Sequence, residues 1–133
     1  MPNYEEKAIK NALFIKGDKV KWDGHQDEYT VKTVFFDMGV RYSLLSKDGV
    51  ECGGRVFENE LKFSSLYDAA KRRDVEIDSH ESDLYVPVNE VTKKLVENYE
   101  FSRNVTTFVS QIDNKSWYDV PFGYIPYWEE KGA

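Results

Sequence analysis

The sequence predicts an α+β fold, with short antiparallel strands in the first half and a compact helix-plus-antiparallel-hairpin unit in the second. Two observations support this prediction. Residues 19–58 alternate between runs rich in Val, Tyr, Phe and Thr and turns that contain glycine, a pattern typical of hairpins. Further along, Ser65 and Asn89 stand directly before stretches that suit helices, where residues of their types act as N-caps. A chain of 133 residues is long enough for one conventional core, and we expect one compact body.

The first half begins with a predicted helix over residues 4–14, because its apolar residues fall on one helical face. Gly17 and Asp18 should end that helix. Gly53 and Gly54 lie inside the last predicted strand, where paired glycines indicate a bulge or a sharp bend. The predicted strands are residues 19–22, 28–36, 40–46 and 50–58.

The second half combines two predicted helices with short strands. Ser65 and Asp68 have the spacing of a weak capping box, so we expect a helix through residues 66–74. A second helix should follow Asn89, because Val91, Leu95 and Tyr99 recur at every fourth position. The predicted strands are residues 75–78 and 83–88, followed by a hairpin of residues 105–112 and 116–122 around Asp113-Asn114-Lys115.

Four segments of the first half resemble an SH3-like small β-barrel of the KOW and Tudor type. They are GDKVKW (17–22), EYTVKTV (28–34), YSLLSKDGV (42–50) and VFENELKF (56–63). The last segment lies where a short helical turn commonly ends such barrels. The resemblance implies a scaffold that binds peptides or nucleic acids through its loops. The expected organisation is therefore an N-terminal helix and SH3-like barrel over residues 1–63, with an α+β unit of residues 64–133 packed on it.

The second half is similar to small uncharacterised proteins of bacteriophages and bacterial mobile elements. The resemblance lies in HESDLYVPV (80–88) and DNKSWYDVPFGYIPYW (113–128). It implies an accessory role in the host cytoplasm, such as modulation of a host or defence factor, and it supplies no catalytic residues.

Charge and composition disfavour several classes of function. The net charge is −6, and residues 67–133 hold 13 acidic and 8 basic side chains, so a phosphate backbone would be repelled by this half. Lys71-Arg72-Arg73 is the main basic run, and it also suits the C-terminal end of a helix. No apolar run approaches the roughly 20 residues needed to cross a bilayer, and the first residues do not resemble a secretory signal, so we expect a cytoplasmic protein without membrane contact. The single cysteine, Cys52, excludes an internal disulfide, and we expect it to be buried or half-buried.

The stretch DSHESDLYV (78–86) places one of two histidines among three carboxylates. These residue types could bind a divalent ion, perform acid/base chemistry, or cap a solvated turn. The spacing does not fit an EF-hand, because Asp83 and Asn89 stand where glycine and glutamate are required. For zinc, the remaining donors His25 and Cys52 lie in the other half, and His25 is expected in an exposed loop. We therefore expect no catalytic residue set, no metal ligands and no cofactor.

Residues 117–128 hold six aromatic side chains and two prolines, and such segments either cover a core or form an interface. The predicted function is a non-catalytic binding protein that contacts a protein partner, or a second copy of itself, through an aromatic and acidic surface. Two alternatives remain open: a nucleic-acid-binding module that uses the barrel loops with Lys71-Arg73, and a metal-dependent hydrolase centred on His80. The predicted contact residues are His80, Glu81, Asp83, Tyr85, Trp117, Tyr118, Tyr124, Tyr127 and Trp128.

Overall fold

The computed structural model describes residues 4–80 and 83–121, and the side chains of His80 and Pro121 are not among the described features. The described residues form three α-helices and two antiparallel sheets, which confirms the α+β class. The chain divides into two units, Met1–Lys62 and Phe63–Ala133, and each is described separately below.

The first unit contains a five-stranded sheet with the strand order β4-β3-β2-β1-β5. Its predicted strands are confirmed to within one residue at each end. Among the described residues, the two edge strands β4 and β5 do not pair with each other, so the sheet does not close. The predicted SH3-like barrel is therefore not confirmed. The elements are α1 (Tyr4–Lys10), β1 (Lys19–Trp22), β2 (Glu28–Phe36), β3 (Val40–Leu45), β4 (Glu51–Phe57), a 3-10 turn (Glu58–Glu60) and β5 (Leu61–Phe63).

Helix α1 ends at Lys10, four residues earlier than predicted, and side chains of the first unit accept the backbone N–H groups of Leu13 and Phe14. The N–H of Leu13 donates to Glu58 Oε2 at 3.1 Å, and that of Phe14 donates to Tyr42 Oη at 3.3 Å. The Tyr42 hydroxyl in turn donates to Glu58 Oε2 at 2.7 Å, and Tyr42 is fully buried. These tertiary hydrogen bonds replace the helical ones, which is why periodicity alone overestimates the length of the helix.

The predicted bulge at Gly53-Gly54 is present. Tyr42 pairs with Val56 and Leu44 pairs with Cys52, so β4 has extra residues between two pairs that are only two residues apart on β3. Gly53 has a φ of +62°, a conformation that L side chains rarely adopt. Cys52 is half-buried, as expected.

The second unit contains a four-stranded sheet with the strand order β6-β7-β9-β8. Both predicted N-caps are confirmed: Ser65 Oγ accepts the N–H of Asp68 at 3.1 Å, and Asn89 Oδ1 accepts the N–H of Thr92 at 2.9 Å. The elements are α2 (Leu66–Arg72), β6 (Asp78–His80), β7 (Asp83–Pro87), α3 (Glu90–Glu97), a 3-10 turn (Ser102–Asn104), β8 (Thr106–Val109) and β9 (Ser116–Pro121).

Strand β6 begins at Asp78, three residues later than predicted. Residues 74 and 75 form the turn that terminates α2, in which Asp74 has a φ of +55° and the N–H of Val75 donates to Ala70 O at 3.0 Å. The predicted hairpin is confirmed, although β8 ends at Val109, three residues earlier than predicted, and Asn114 has a φ of +54° in the turn.

Replacement of Gly53 by alanine should lower the free energy of unfolding by about 2–4 kcal/mol, the sum of a left-handed backbone penalty and overpacking. An added Cβ would lie 2.8 Å from Cη2 of Trp22 and 3.1 Å from Cγ2 of Val56. The indole has little freedom to move, because it stacks on His25 with ring centroids 3.9 Å apart. Urea denaturation followed by circular dichroism measures the change.

Gly54→Ala is the matched control for this prediction. A Cβ at Gly54 meets no atom within 4 Å, so the control should remain within about 1 kcal/mol of wild type. Equal losses in the two variants would contradict the assignment of the bulge constraint to Gly53.

Candidate functional site

The sheet of the second unit has one buried face. Leu84 pairs with Val120 and Val86 pairs with Tyr118, and side chains of directly opposed residues lie on the same face of an antiparallel sheet. Leu84, Val86 and Val120 are fully buried. This face therefore contributes to the core of the second unit.

The opposite face carries aromatic rings and carboxylates. Tyr85 on β7 pairs with Asp78 on β6 and with Asp119 on β9. Phe108 on β8 pairs with Trp117 on β9. Because the side-chain period of a strand is two, Asp83 also belongs to this face. We call it the aromatic–acidic face, composed of Asp78, Asp83, Tyr85, Phe108, Trp117 and Asp119.

The rings of this face contact one another and differ in exposure. The centroids of Tyr85 and Phe108 are 5.5 Å apart with their planes at 77°, an edge-to-face arrangement. Trp117 is 9% exposed, whereas Phe108 is 40% exposed. Lys115 Nζ lies 4.7 Å from the centroid of the Trp117 ring and also pairs with Glu76 Oε2 at 2.6 Å. The indole is thus well covered, while the phenyl ring is available to a ligand.

A cavity of about 370 Å³ opens on this face. Ile112, in the β8–β9 turn at its rim, is 98% exposed. The cavity combines aromatic walls with acidic side chains, and its lining residues are Asp78, Tyr85, Phe108, Ser110, Ile112, Asp113 and Trp117.

Burial and neighbouring charges raise the pKa values of two groups on this face, Asp119 and Tyr85. Partial burial, followed by the nearby charge of Asp83, raises the pKa of Asp119 above its usual range. Burial, together with the charges of Asp119 and Asp83, also raises the pKa of Tyr85. The Tyr85 hydroxyl donates to Asp83 Oδ2 at 3.4 Å, which keeps the phenol protonated. Ionisation of Asp119 therefore opposes folding, and a cation placed near it would be attracted.

The structure brings together some of the predicted contact residues. Asp83, Tyr85 and Trp117 share the aromatic–acidic face, and the backbone of His80 pairs with Asp83. Tyr118 is on the opposite face, because it follows Trp117 directly in β9. The predicted residues Glu81, Tyr124, Tyr127 and Trp128 lie outside the described part of the chain.

Sequence reasoning missed Phe108 and Asp119 as members of the site. A signal for both was present, because a hairpin around residues 113–115 sets which residues of β8 and β9 face each other. The sequence offers Asp78 as a metal ligand, an acid/base group or a turn cap, and the structure pairs it with Tyr85.

The two alternative hypotheses concern a metal site at His80, whose side chain is not among the described features, and the basic run at the end of α2. Among residues 4–80 and 83–121, no three His, Cys, Asp or Glu side chains are arranged to hold a metal ion. His25 is exposed, as expected, and its ring stacks on Trp22.

The basic run at the end of α2 has local partners. Arg72 pairs with Asp68 at 3.0 Å, and the guanidinium of Arg73 lies 5.2 Å from the centroid of the Phe63 ring. Lys71 Nζ lies 5.6 Å from the centroid of Tyr67. All three basic side chains therefore contact neighbours at the C-terminal end of α2. This agrees with the sequence-based interpretation of the run as a helix end.

Comparison of the chain with protein-family models, with curated proteins and with solved structures finds no match. Within the part of the chain that the structure describes, no helix is long and apolar enough to cross a membrane.

Asp119→Asn should stabilise the protein at neutral pH. A carboxyl whose folded-state pKa is raised favours folding below its unfolded pKa of about 4 and loses that contribution as the pH rises through the folded value. The ionised Asp119 therefore opposes folding at pH 7, and the neutral amide removes this opposition. Urea midpoints at pH 7 and pH 3 measure the difference, which should narrow at the lower pH.

Asp48→Asn in an exposed loop serves as the charge-matched control, and its midpoint should equal that of wild type. A lower stability of Asp119→Asn at pH 7 would show that the Asp119 carboxylate makes a net favourable contribution, contrary to this prediction.

Proposed function

We propose that this chain is a small non-catalytic binding protein that contacts a protein partner through the aromatic–acidic face. The observation that carries the proposal is the sidedness of the second sheet: Leu84, Val86 and Val120 are buried on one face, and the other face presents aromatic rings among three carboxylates. Partly exposed aromatic rings next to polar groups are characteristic of the energetically dominant parts of protein interfaces.

The distribution of exposed apolar side chains supports the proposal. Phe108 on β8 is 40% exposed, and Ile112 in the turn that follows is 98% exposed. Isolated exposed apolar residues need no explanation, whereas two that line one cavity favour an interaction site.

The carboxylates of this face favour a positively charged partner. Partial burial, followed by the charge of Asp83, raises the pKa of Asp119, so the ionised Asp119 is unfavourable in the isolated fold. A partner with positive charge would offset this unfavourable contribution on binding, so the same charges would favour association and its rate.

We extend the proposal to the first unit and to the biological setting. The strand order of the first sheet, with β5 beside β1 after a 3-10 turn, supports an SH3-like scaffold whose loops could add contacts. The resemblance of residues 80–88 and 113–128 to bacteriophage and mobile-element proteins supports an accessory role toward a host or defence factor in the bacterial cytoplasm.

The double substitution Tyr85→Ala and Phe108→Ala should abolish partner binding while the protein remains folded. Truncation of dominant aromatic side chains weakens interfaces by about 2 kcal/mol or more each, which corresponds to roughly 30-fold. Affinity capture with wild-type and variant protein from bacterial lysate identifies the partner, and calorimetry with the purified partner measures the dissociation constants.

The control is Val91→Ser, which removes an exposed apolar side chain of similar accessibility from α3 of the same unit. It should bind as wild type does. The proposal is wrong if the double variant binds the purified partner with wild-type affinity, or if wild type binds no protein and sediments as a monomer.

A further inference from the structure

We propose that the 370 Å³ cavity on the aromatic–acidic face receives an arginine side chain from an exposed segment of the partner protein. This inference rests on the proposed function and specifies the chemistry of the ligand. The cavity is at the small end of the range for ligand sites, about 300–1,000 Å³, and so suits one long side chain better than a folded element.

The shape of the cavity favours a flat cation. Tyr85 and Phe108 meet edge to face at 77°, so the two rings form a corner with walls in different orientations. A guanidinium can stack on one ring while its edge points along the other, and its methylene stem can contact Ile112 at the rim.

The charge of the cavity is complementary to the same ligand. Asp78 and Asp113 line the cavity, and Asp83 and Asp119 lie on the same face of the sheet. Guanidinium groups bind carboxylates through two parallel hydrogen bonds, which gives both affinity and orientation. Cation–π attraction and carboxylate pairing therefore act on the same ligand atoms.

Contacts within the chain show that its rings accept cations. Lys115 Nζ lies 4.7 Å from the centroid of Trp117, a cavity-lining ring. In the first unit, the guanidinium carbon of Arg41 lies 3.4 Å from the centroid of Phe57. Arginine is preferred to lysine as the ligand because its planar group can stack on a ring and bind a carboxylate at the same time, whereas the ammonium group acts as a point charge.

The test uses three five-residue peptides, acetylated and amidated, with arginine, citrulline or lysine between pairs of glycines. Citrulline preserves the length and planarity of arginine and removes its charge. Amide shifts of the ¹⁵N-labelled full chain, recorded during titration at low salt, report both the site and the affinity of each peptide.

We expect the arginine peptide to produce saturable shifts at residues that line the cavity, with at least tenfold weaker binding of citrulline and severalfold weaker binding of lysine. Asp78→Asn and Phe108→Ala should each weaken the arginine peptide about tenfold, whereas Val91→Ser should leave it unchanged. Raising the salt concentration to 0.5 M should weaken binding, because the carboxylates are exposed enough to be screened.

Equal binding of arginine and citrulline would overturn the inference, because the cavity would then recognise shape without charge. Tighter binding of lysine would overturn the choice of arginine, and so would shifts confined to other regions or no shifts at millimolar peptide. Each of these results leaves the proposed function intact if the double variant still fails to bind the purified partner. The peptide titration thus tests the arginine inference, and calorimetry with the purified partner tests the proposed function separately.

Discussion

The antiparallel pairing of β7 with β9 is the constraint on which the candidate site depends. It places Tyr85 opposite Asp119, and at the same time it places Leu84 opposite Val120. A shift of one residue would exchange the two faces, burying carboxylates and exposing the apolar set. The hydrophobic requirement of the core therefore fixes the register, and the register creates the aromatic–acidic face on the other side of the sheet.

This arrangement places favourable and unfavourable contributions to stability on opposite faces of the second sheet. Leu84, Val86 and Val120 on the core face are fully buried and apolar, so they contribute favourable free energy of folding. The outer face concentrates negative charge, which raises the pKa of Asp119 and so opposes folding when that group is ionised. Recognition sites commonly carry groups that are suboptimal for stability alone, and a cationic ligand would satisfy the charges that the isolated sheet does not.

The two units illustrate different limits of local patterns. In the first unit, glycine turns and alternating strands are read correctly because hairpin geometry is local, and the strands match the sequence-based bounds closely. The length of α1 is not predicted correctly, because Glu58 and Tyr42, which are far along the chain, accept the N–H groups of Leu13 and Phe14. Strand β6 is similarly delayed by the end of α2, where Val75 hydrogen-bonds back to Ala70. Closure of the first sheet, a global property, was not determined by the strand pattern.

The sequence by itself determined the α+β class, the N-caps at Ser65 and Asn89, the bulge at Gly53-Gly54 and the hairpin of β8 and β9, because each depends on neighbours within a few residues. It also predicted Asp83, Tyr85 and Trp117 as contact residues, and the structure places these three on one face of the sheet. Only the tertiary structure decided which face each residue occupies, and it added Phe108 and Asp119 while placing Tyr118 on the other side. The reason is that a strand's side chains alternate, so membership of a site follows from the pairing of separate segments and not from the types of residues in one.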